Sequence, residues 1–316
     1  MNLETAINGR NELNKTIRTF WEERGFLEVE TPFLVSSPDL SPVLDHFETT
    51  QRFPTHDSSD SSTLTLALIT SPEFSMKKLL GQGLQKIFTL ARVFRNGEAD
   101  TGQHRREFTM LEWYEQGVDY VVGMDQTEAL IRACLADSNF QLPTSPIDRI
   151  HLPTRFFETT GIDYADASME QMRSACERLG LTTDASDTWS DLFHRVFVTH
   201  IEPALPSAAF VYDFPKQQAA LAALTLDGKY AQRFELYVGG LELCNAFTEL
   251  TDPVEQRARF EEELLERKRL GKPAFPIDEA LLAALPSLRK PTFGNAIGVD
   301  RLLMLKLGIK SIEELV

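Results

Sequence analysis

Phe234-Glu235-Leu236-Tyr237-Val238-Gly239-Gly240-Leu241-Glu242-Leu243-Cys244-Asn245-Ala246-Phe247-Thr248-Glu249-Leu250-Thr251-Asp252 is apolar enough to be core strand, yet it sets carboxylates at 235, 242 and 249. A glycine pair permits a tight turn or bulge, so two strand segments meeting at Gly239-Gly240 account for the apolar residues. Alternation in the second segment places Glu242 on one face with Cys244 and Ala246, and Asn245, Phe247 and Glu249 on the other. Carboxylates in a largely apolar segment are costly unless they are paired, bind a metal or face a polar cavity. The plainer alternative is an amphipathic strand whose acids face water, and the choice between the two rests on the rest of the chain.

With 316 residues the chain can bury a large core. Its 42% hydrophobic and 25% charged content are those of an ordinary globular protein. No apolar run approaches the roughly 18 to 20 residues of a membrane span, and Met1-Asn2-Leu3-Glu4-Thr5 lacks the basic and then apolar regions of a signal peptide. Three widely spaced cysteines (Cys134, Cys176, Cys244) form no metal-binding pattern and suit a reducing cytoplasm. A net charge of −15 argues against a broad nucleic-acid surface, which needs clustered Lys and Arg, though a local basic patch is compatible with it.

In chain order, residues 8–24 read as an amphipathic helix with Leu13, Ile17, Phe20 and Trp21 on one stripe and Gly25 as its cap. A short strand over 26–30 runs into Pro32; residues 36–62 are loop-like, with a tip at 57–62; and 64–69 read as a strand. Ser71-Pro72-Glu73 opens a helix, with Ser71 as cap and Pro72 at its first position. Residues 86–94 and 107–114 form a long antiparallel hairpin whose tip, 99–106, is polar and basic. A helix over 124–137 and a mostly helical insertion over 140–206 precede a strand over 209–215. Asp252-Pro253-Val254-Glu255 starts a helix running to about Leu270, and Gly294–Gly298 lead a strand into a final helix. Strands joined by hairpins with helices outside indicate an α+β fold with a largely antiparallel sheet.

Three features suit nucleotide chemistry. Arg95 ends a strand, where a planar guanidinium can grip phosphate or carboxylate. Arg301 begins a helix after a glycine-bearing turn. Glu235 and Glu242 could hold Mg²⁺ together with substrate phosphates. There is no Walker pattern.

In this order, the Gly25-to-Pro32 segment, Phe94-Arg95-Asn96-Gly97-Glu98 and Gly298-Val299-Asp300-Arg301 resemble motifs 1, 2 and 3 of class II aminoacyl-tRNA synthetases. Thr70-Ser71-Pro72-Glu73, the 107–114 strand and the 242–252 stretch are similar to the lysyl-tRNA synthetase branch. The resemblance implies one class II synthetase-like domain over 1–316, an antiparallel sheet flanked by helices. Because the chain starts at motif 1, it implies no anticodon-reading OB domain and no anticodon recognition. Phe210-Val211-Tyr212-Asp213-Phe214-Pro215, and Ala296 where lysyl-tRNA synthetases usually carry glycine, resemble the subgroup that activates (R)-β-lysine with ATP and joins it to a lysine of elongation factor P. The alternatives are a truncated lysyl-tRNA synthetase paralogue using α-lysine or another amino acid with a different acceptor, and a catalytically silent paralogue.

Carried over residue by residue, the resemblance implies that Arg95 binds the α-phosphate and the substrate carboxylate. It implies that Phe108 and Arg301 enclose adenine, that Asn96, Gly97, Glu98, Arg105, Leu243 and Gly298 complete the ATP site, and that Glu235 and Glu242 coordinate Mg²⁺. Ser71, Pro72, Glu73, Glu112, Tyr114, Asn245, Phe247, Glu249 and Ala296 would line the amino-acid pocket, with Asn245 and Glu249 on the substrate amine. Two departures stand out: Gly97 takes the place of motif 2's usual acid, with Glu98 following, and His104-Arg105-Arg106-Glu107-Phe108 replaces the usual His-Asn-Pro-Glu-Phe, leaving Arg105 to supply the asparagine's nucleotide contact. The family dimerises through the motif 1 helix, and the Ile17/Phe20/Trp21 stripe suits either that or packing on the chain's own core.

Overall fold

Gly239 and Gly240 both adopt positive φ, 60° and 77°. Their tight turn joins β9 (Tyr230–Val238) to β10 (Leu241–Thr248) as an antiparallel hairpin. The computed structural model describes residues 2–52, 63–98 and 102–315.

This hairpin lies inside an eight-stranded sheet of order β1-β5-β6-β11-β10-β9-β8-β7. The other members are β1 (Leu27–Glu28), β5 (Lys86–Phe94), β6 (Glu107–Gln116), β7 (Asp148–His151), β8 (Ala208–Pro215) and β11 (Thr292–Gly298). The interior is antiparallel as expected, whereas both edges, β1 on β5 and β7 on β8, are parallel. A second sheet, β2-β4-β3, joins β2 (Leu34–Val35), β4 (Thr63–Leu68) and β3 (Glu48–Arg52). β3 falls where the composition indicates loop. Its residues are exposed throughout, so it carries no hydrophobic alternation, and its register comes from backbone pairing to β4. The loop tip expected at 57–62 and positions 99–101 of the hairpin tip lie outside the described residues.

One face of the large sheet is covered by α1 (Leu3–Glu22), α3 (Tyr120–Leu135) and α9 (Val299–Leu307). Leu13, Ile17, Phe20 and Trp21 of α1 sink into this core, with the Trp21 ring 4.6 Å from Trp113. The stripe that suited either a partner or the chain's own core is therefore used internally.

The 140–206 region is helical, with α4 (Leu152–Thr160), α5 (Met169–Arg178) and α6 (Trp189–Val196) around a core that includes Phe156, Tyr164 and Phe193. It also contributes β7, which ties it to the sheet edge. In α2 (Glu73–Gly81), Pro72 is the capping residue rather than the first helical one, and Ser71 Oγ accepts from the Glu73 amide at 3.0 Å.

One irregularity in β10 reorganises the site. Glu242 pairs with Tyr237 but Cys244 pairs with Leu236, so Leu243 is an extra residue in a β-bulge. The bulge shifts the alternation, and Glu242 shares a face with Asn245 and Phe247 instead of Cys244 and Ala246. Leu243, Cys244 and Ala246 are buried in the core beneath.

Asp252 caps α7 (Pro253–Arg269), accepting from the Val254 amide at 2.8 Å and the Glu255 amide at 3.3 Å. Asp252→Ala should cost about 1 kcal/mol in urea unfolding, since two helix-start amides lose their acceptor.

Candidate active site

Sheet register brings the dispersed polar residues together. Glu112 (β6), Ala296 (β11), Asn245 (β10) and Glu235 (β9) are successive cross-strand partners. The next row on the same face is Tyr114, Gly294, Phe247 and Arg233. Directly opposed residues share a face, so both rows point away from the α1/α3/α9 core. Glu249, two residues beyond Phe247, lies past the end of β10, where its amide donates to the Thr292 carbonyl at 2.7 Å and opens the next row along.

The amino-acid end of this face is acidic and buried. Lys77, which is 1% exposed, reaches from α2 to Glu73 Oε1 and Glu249 Oε2, both at 2.5 Å. Ser71 Oγ donates to Glu112 Oε1 at 2.5 Å, and the Tyr114 hydroxyl donates to Glu112 Oε2 at 3.1 Å. Glu249 Oε1 is buried without a hydrogen-bond partner among the described residues. Three carboxylates thus face one ammonium.

Burial, then repulsion from Glu73, pushes the Glu112 carboxyl up to about 8. Burial also raises Glu249 and Glu73, against the pull of Lys77. Burial would lower Lys77, but Glu249 and Glu73 outweigh it and hold the ammonium charged. The arrangement accepts further positive charge: Glu112 receives only neutral donors, and one oxygen of Glu249 is free.

Two contributors were not among the sequence candidates. Lys77 lies on the buried side of α2 beside Met76 and Leu80, and a lysine on an apolar face was the available sign. Gly294 is obligatory for space, because a Cβ there would lie 2.3 Å from both Glu249 Oε1 and the Tyr114 ring.

At the other end, the Arg95 guanidinium lies 5.3 Å over the Phe108 ring, and its buried Nε has no hydrogen-bond partner among the described residues. Arg301 donates to the Glu242 carbonyl at 2.7 Å and to the Gln103 carbonyl at 3.3 Å, and pairs with His104. Burial and the Arg301 charge lower His104. A Cβ at Gly298 would find its nearest neighbours in the Arg301 side chain, at an ordinary 3.8 Å, so the fold itself does not require glycine there. The Asn96 amide donates to the Asp45 carbonyl at 2.9 Å, and Gly97 takes a φ of +71°.

Arg105 is not brought to this group. Its guanidinium donates to the Leu315 carbonyl at 2.6 Å and lies 3.9 Å from Glu313, because the C-terminal turn packs against the hairpin tip. The Leu243 side chain is in the core, which leaves only its backbone for a ligand.

The two proposed metal carboxylates differ. Glu235 accepts from Arg233 at 2.5 Å and from the Tyr237 hydroxyl at 2.7 Å, and burial raises it to about 7. Glu242 is 44% exposed at the side chain, and one of its carboxylate oxygens lies 3.9 Å from Arg301. Glu242 fits a magnesium ligand, whereas Glu235 would have to release Arg233. Among the described residues no group of three or more His, Cys, Asp or Glu forms a preformed cage, so an ion here would take its remaining ligands from phosphate and water.

Comparison with known proteins gives a consistent result. The family model described as tRNA synthetases class II (D, K and N) matches residues 1–316. A protein of Yersinia enterocolitica named elongation factor P--(R)-beta-lysine ligase is 39% identical over 306 residues, covering 95% of this chain and 90% of that protein. Proteins of the same name from Proteus mirabilis and Salmonella typhi are each 38% identical over 305 residues, with 95% and 90% covered.

Two outcomes are expected. Gly294→Ala should lower affinity for a cationic ligand on the order of tenfold or more, because Glu249 and Tyr114 must move; binding calorimetry would test it. Because Glu112 has a folded-state value of about 8 against an ordinary 4.5, its stabilising contribution is present below about pH 4.5 and is lost as pH rises through 8. Urea midpoints of the ligand-free protein should therefore fall more steeply over this range in wild type than in Glu112→Gln.

Proposed function

The chain belongs to the class II tRNA synthetase family (D, K and N), and from that membership we propose that it is a ligase that activates (R)-β-lysine with ATP and joins it to a lysine side chain of elongation factor P. The observation that carries the substrate class is the pocket of Glu73, Glu112 and Glu249, in which Lys77 is the one cation paired to them among the described residues. Two uncompensated carboxylates suit the two ammonium groups of a diamino acid. The relatives' names support β-lysine and elongation factor P.

In this reading the substrate's ammonium groups bind Glu73, Glu112 and Glu249, and its carboxylate projects toward Arg95. A carboxylate oxygen attacks the α-phosphorus of ATP, and the bond to pyrophosphate breaks. Arg95, whose buried Nε is unpartnered, stabilises the charge that develops on phosphorus. Phe108 and Arg301 hold the adenine, Glu98, Asn96 and Gly97 line the nucleotide, and Gly298 leaves clearance. Magnesium, held by Glu242 and by Glu235 once Arg233 is exchanged, would neutralise phosphate charge. In the second half-reaction the acceptor amine attacks the acyl carbon, an amide bond forms, AMP departs and the amine loses a proton. Positioning and electrostatics supply the rate, and no protein nucleophile takes part.

The lower-resolution features fit the same reading. Cys134, Cys176 and Cys244 are free and buried, which supports a cytoplasmic protein. Exposed Phe33, Leu34 and Leu64 at the small sheet support a homodimer.

Purified protein with magnesium and ATP should catalyse pyrophosphate exchange that depends on (R)-β-lysine and runs faster than with α-lysine. Charging should appear on elongation factor P and not on tRNA. Absence of exchange with either amino acid would refute the enzyme reading, and preference for α-lysine would favour the lysyl-tRNA synthetase-like alternative. Glu242→Gln should stay folded by circular dichroism and lose about a hundredfold in exchange rate.

A further inference from the structure

We propose that Arg233 is a positioning residue that decides which end of the Asn245 amide faces the substrate, an inference that rests on the diamino-acid reading above. The Arg233 side chain is held at four points. Its Nε donates to Asn245 Oδ1 at 2.8 Å, and its terminal nitrogens donate to Glu235 Oε1 at 2.5 Å and to the Gln218 carbonyl at 3.1 Å. Its guanidinium carbon lies 4.5 Å over the Phe214 ring. Glu235 is in turn fixed by the Tyr237 hydroxyl at 2.7 Å.

Arginine has only donors, so the Asn245 atom that meets it is the oxygen, and the amide orientation follows from chemistry. With the oxygen engaged, the group Asn245 retains for the pocket is its –NH₂. That group donates; it cannot receive an ammonium, but it suits an oxygen of the substrate carboxylate or of the acyl phosphate made from it. Asn245 is the direct cross-strand partner of Ala296, with Glu112 beyond, so a carboxylate bound there would lie across Ala296 from an acid that takes an ammonium. This reverses the expectation that Asn245 joins Glu249 on the substrate amine. Lysine at 233 would keep the charge but lose the planar fork that serves three acceptors at once.

The test is calorimetric binding, without ATP, of (R)-β-lysine and of its decarboxylated counterpart 1,4-diaminopentane, which keeps both ammonium groups and lacks the carboxylate. Arg233→Lys should weaken (R)-β-lysine on the order of tenfold and leave the diamine essentially unchanged. Asn245→Asp keeps an oxygen for Arg233 and turns a second one into the pocket. It should weaken (R)-β-lysine and spare or tighten the diamine. The inference falls if Arg233→Lys weakens both ligands alike, as a general loss of packing would, or if Asn245→Asp tightens (R)-β-lysine, as an amine contact would. If wild-type protein binds neither ligand, the diamino-acid reading itself fails and this inference fails with it.

Discussion

The antiparallel ladder β6-β11-β10-β9 is the constraint on which the site depends. Its register sets Glu112, Ala296, Asn245 and Glu235 in one row and Tyr114, Gly294, Phe247 and Arg233 in the next. A slip of one residue in any of these strands would turn its polar set into the hydrophobic core and its apolar set toward the ligand. Phe234, Leu236, Ala246 and Phe293, packed beneath by α1, α3 and α9, hold the register, since each would have to leave the core for the strand to move.

On the face of that ladder turned away from the α1/α3/α9 core the protein retains charge at a cost. A buried carboxylate with no cation beside it is expensive, and Glu112 meets that cost through two hydroxyl donors and an upward shift toward protonation. Lys77 offsets part of the rest by bridging Glu73 and Glu249. The residual imbalance is what a dicationic substrate relieves, so the same electrostatics that weakens the empty fold favours the ligand. At the phosphate end Arg95 plays the opposite part, a cation with a buried unpartnered nitrogen.

Much of the fold was legible in the chain. Residues 86–94 match β5 because their apolar run is bounded by polar residues, and Gly239-Gly240 marks its turn because two successive positive-φ residues suit glycine. Three things were not legible. β3 is polar along its whole length and owes its pairing to β4. The bulge at Leu243 breaks strict alternation, so the face of Glu242 could not be counted from Cys244. Arg105 is drawn to the carbonyl of Leu315 by packing between segments far apart in the chain.

The sequence by itself determined the inventory: which acids and arginines exist, their order, and the motifs that join them to the class II synthetases. Those are local facts, carried by residue type and spacing. Only the tertiary structure decided how they share their hydrogen bonds. Lys77 enters the pocket from a helix, Gly294 leaves room for Glu249 and Tyr114, and Arg233 takes the oxygen of Asn245 and a carboxylate oxygen of Glu235. The reason is that a donor or acceptor is committed by whatever lies within about 3 Å of it, and that neighbour comes from strand register and helix packing rather than from adjacency in the chain.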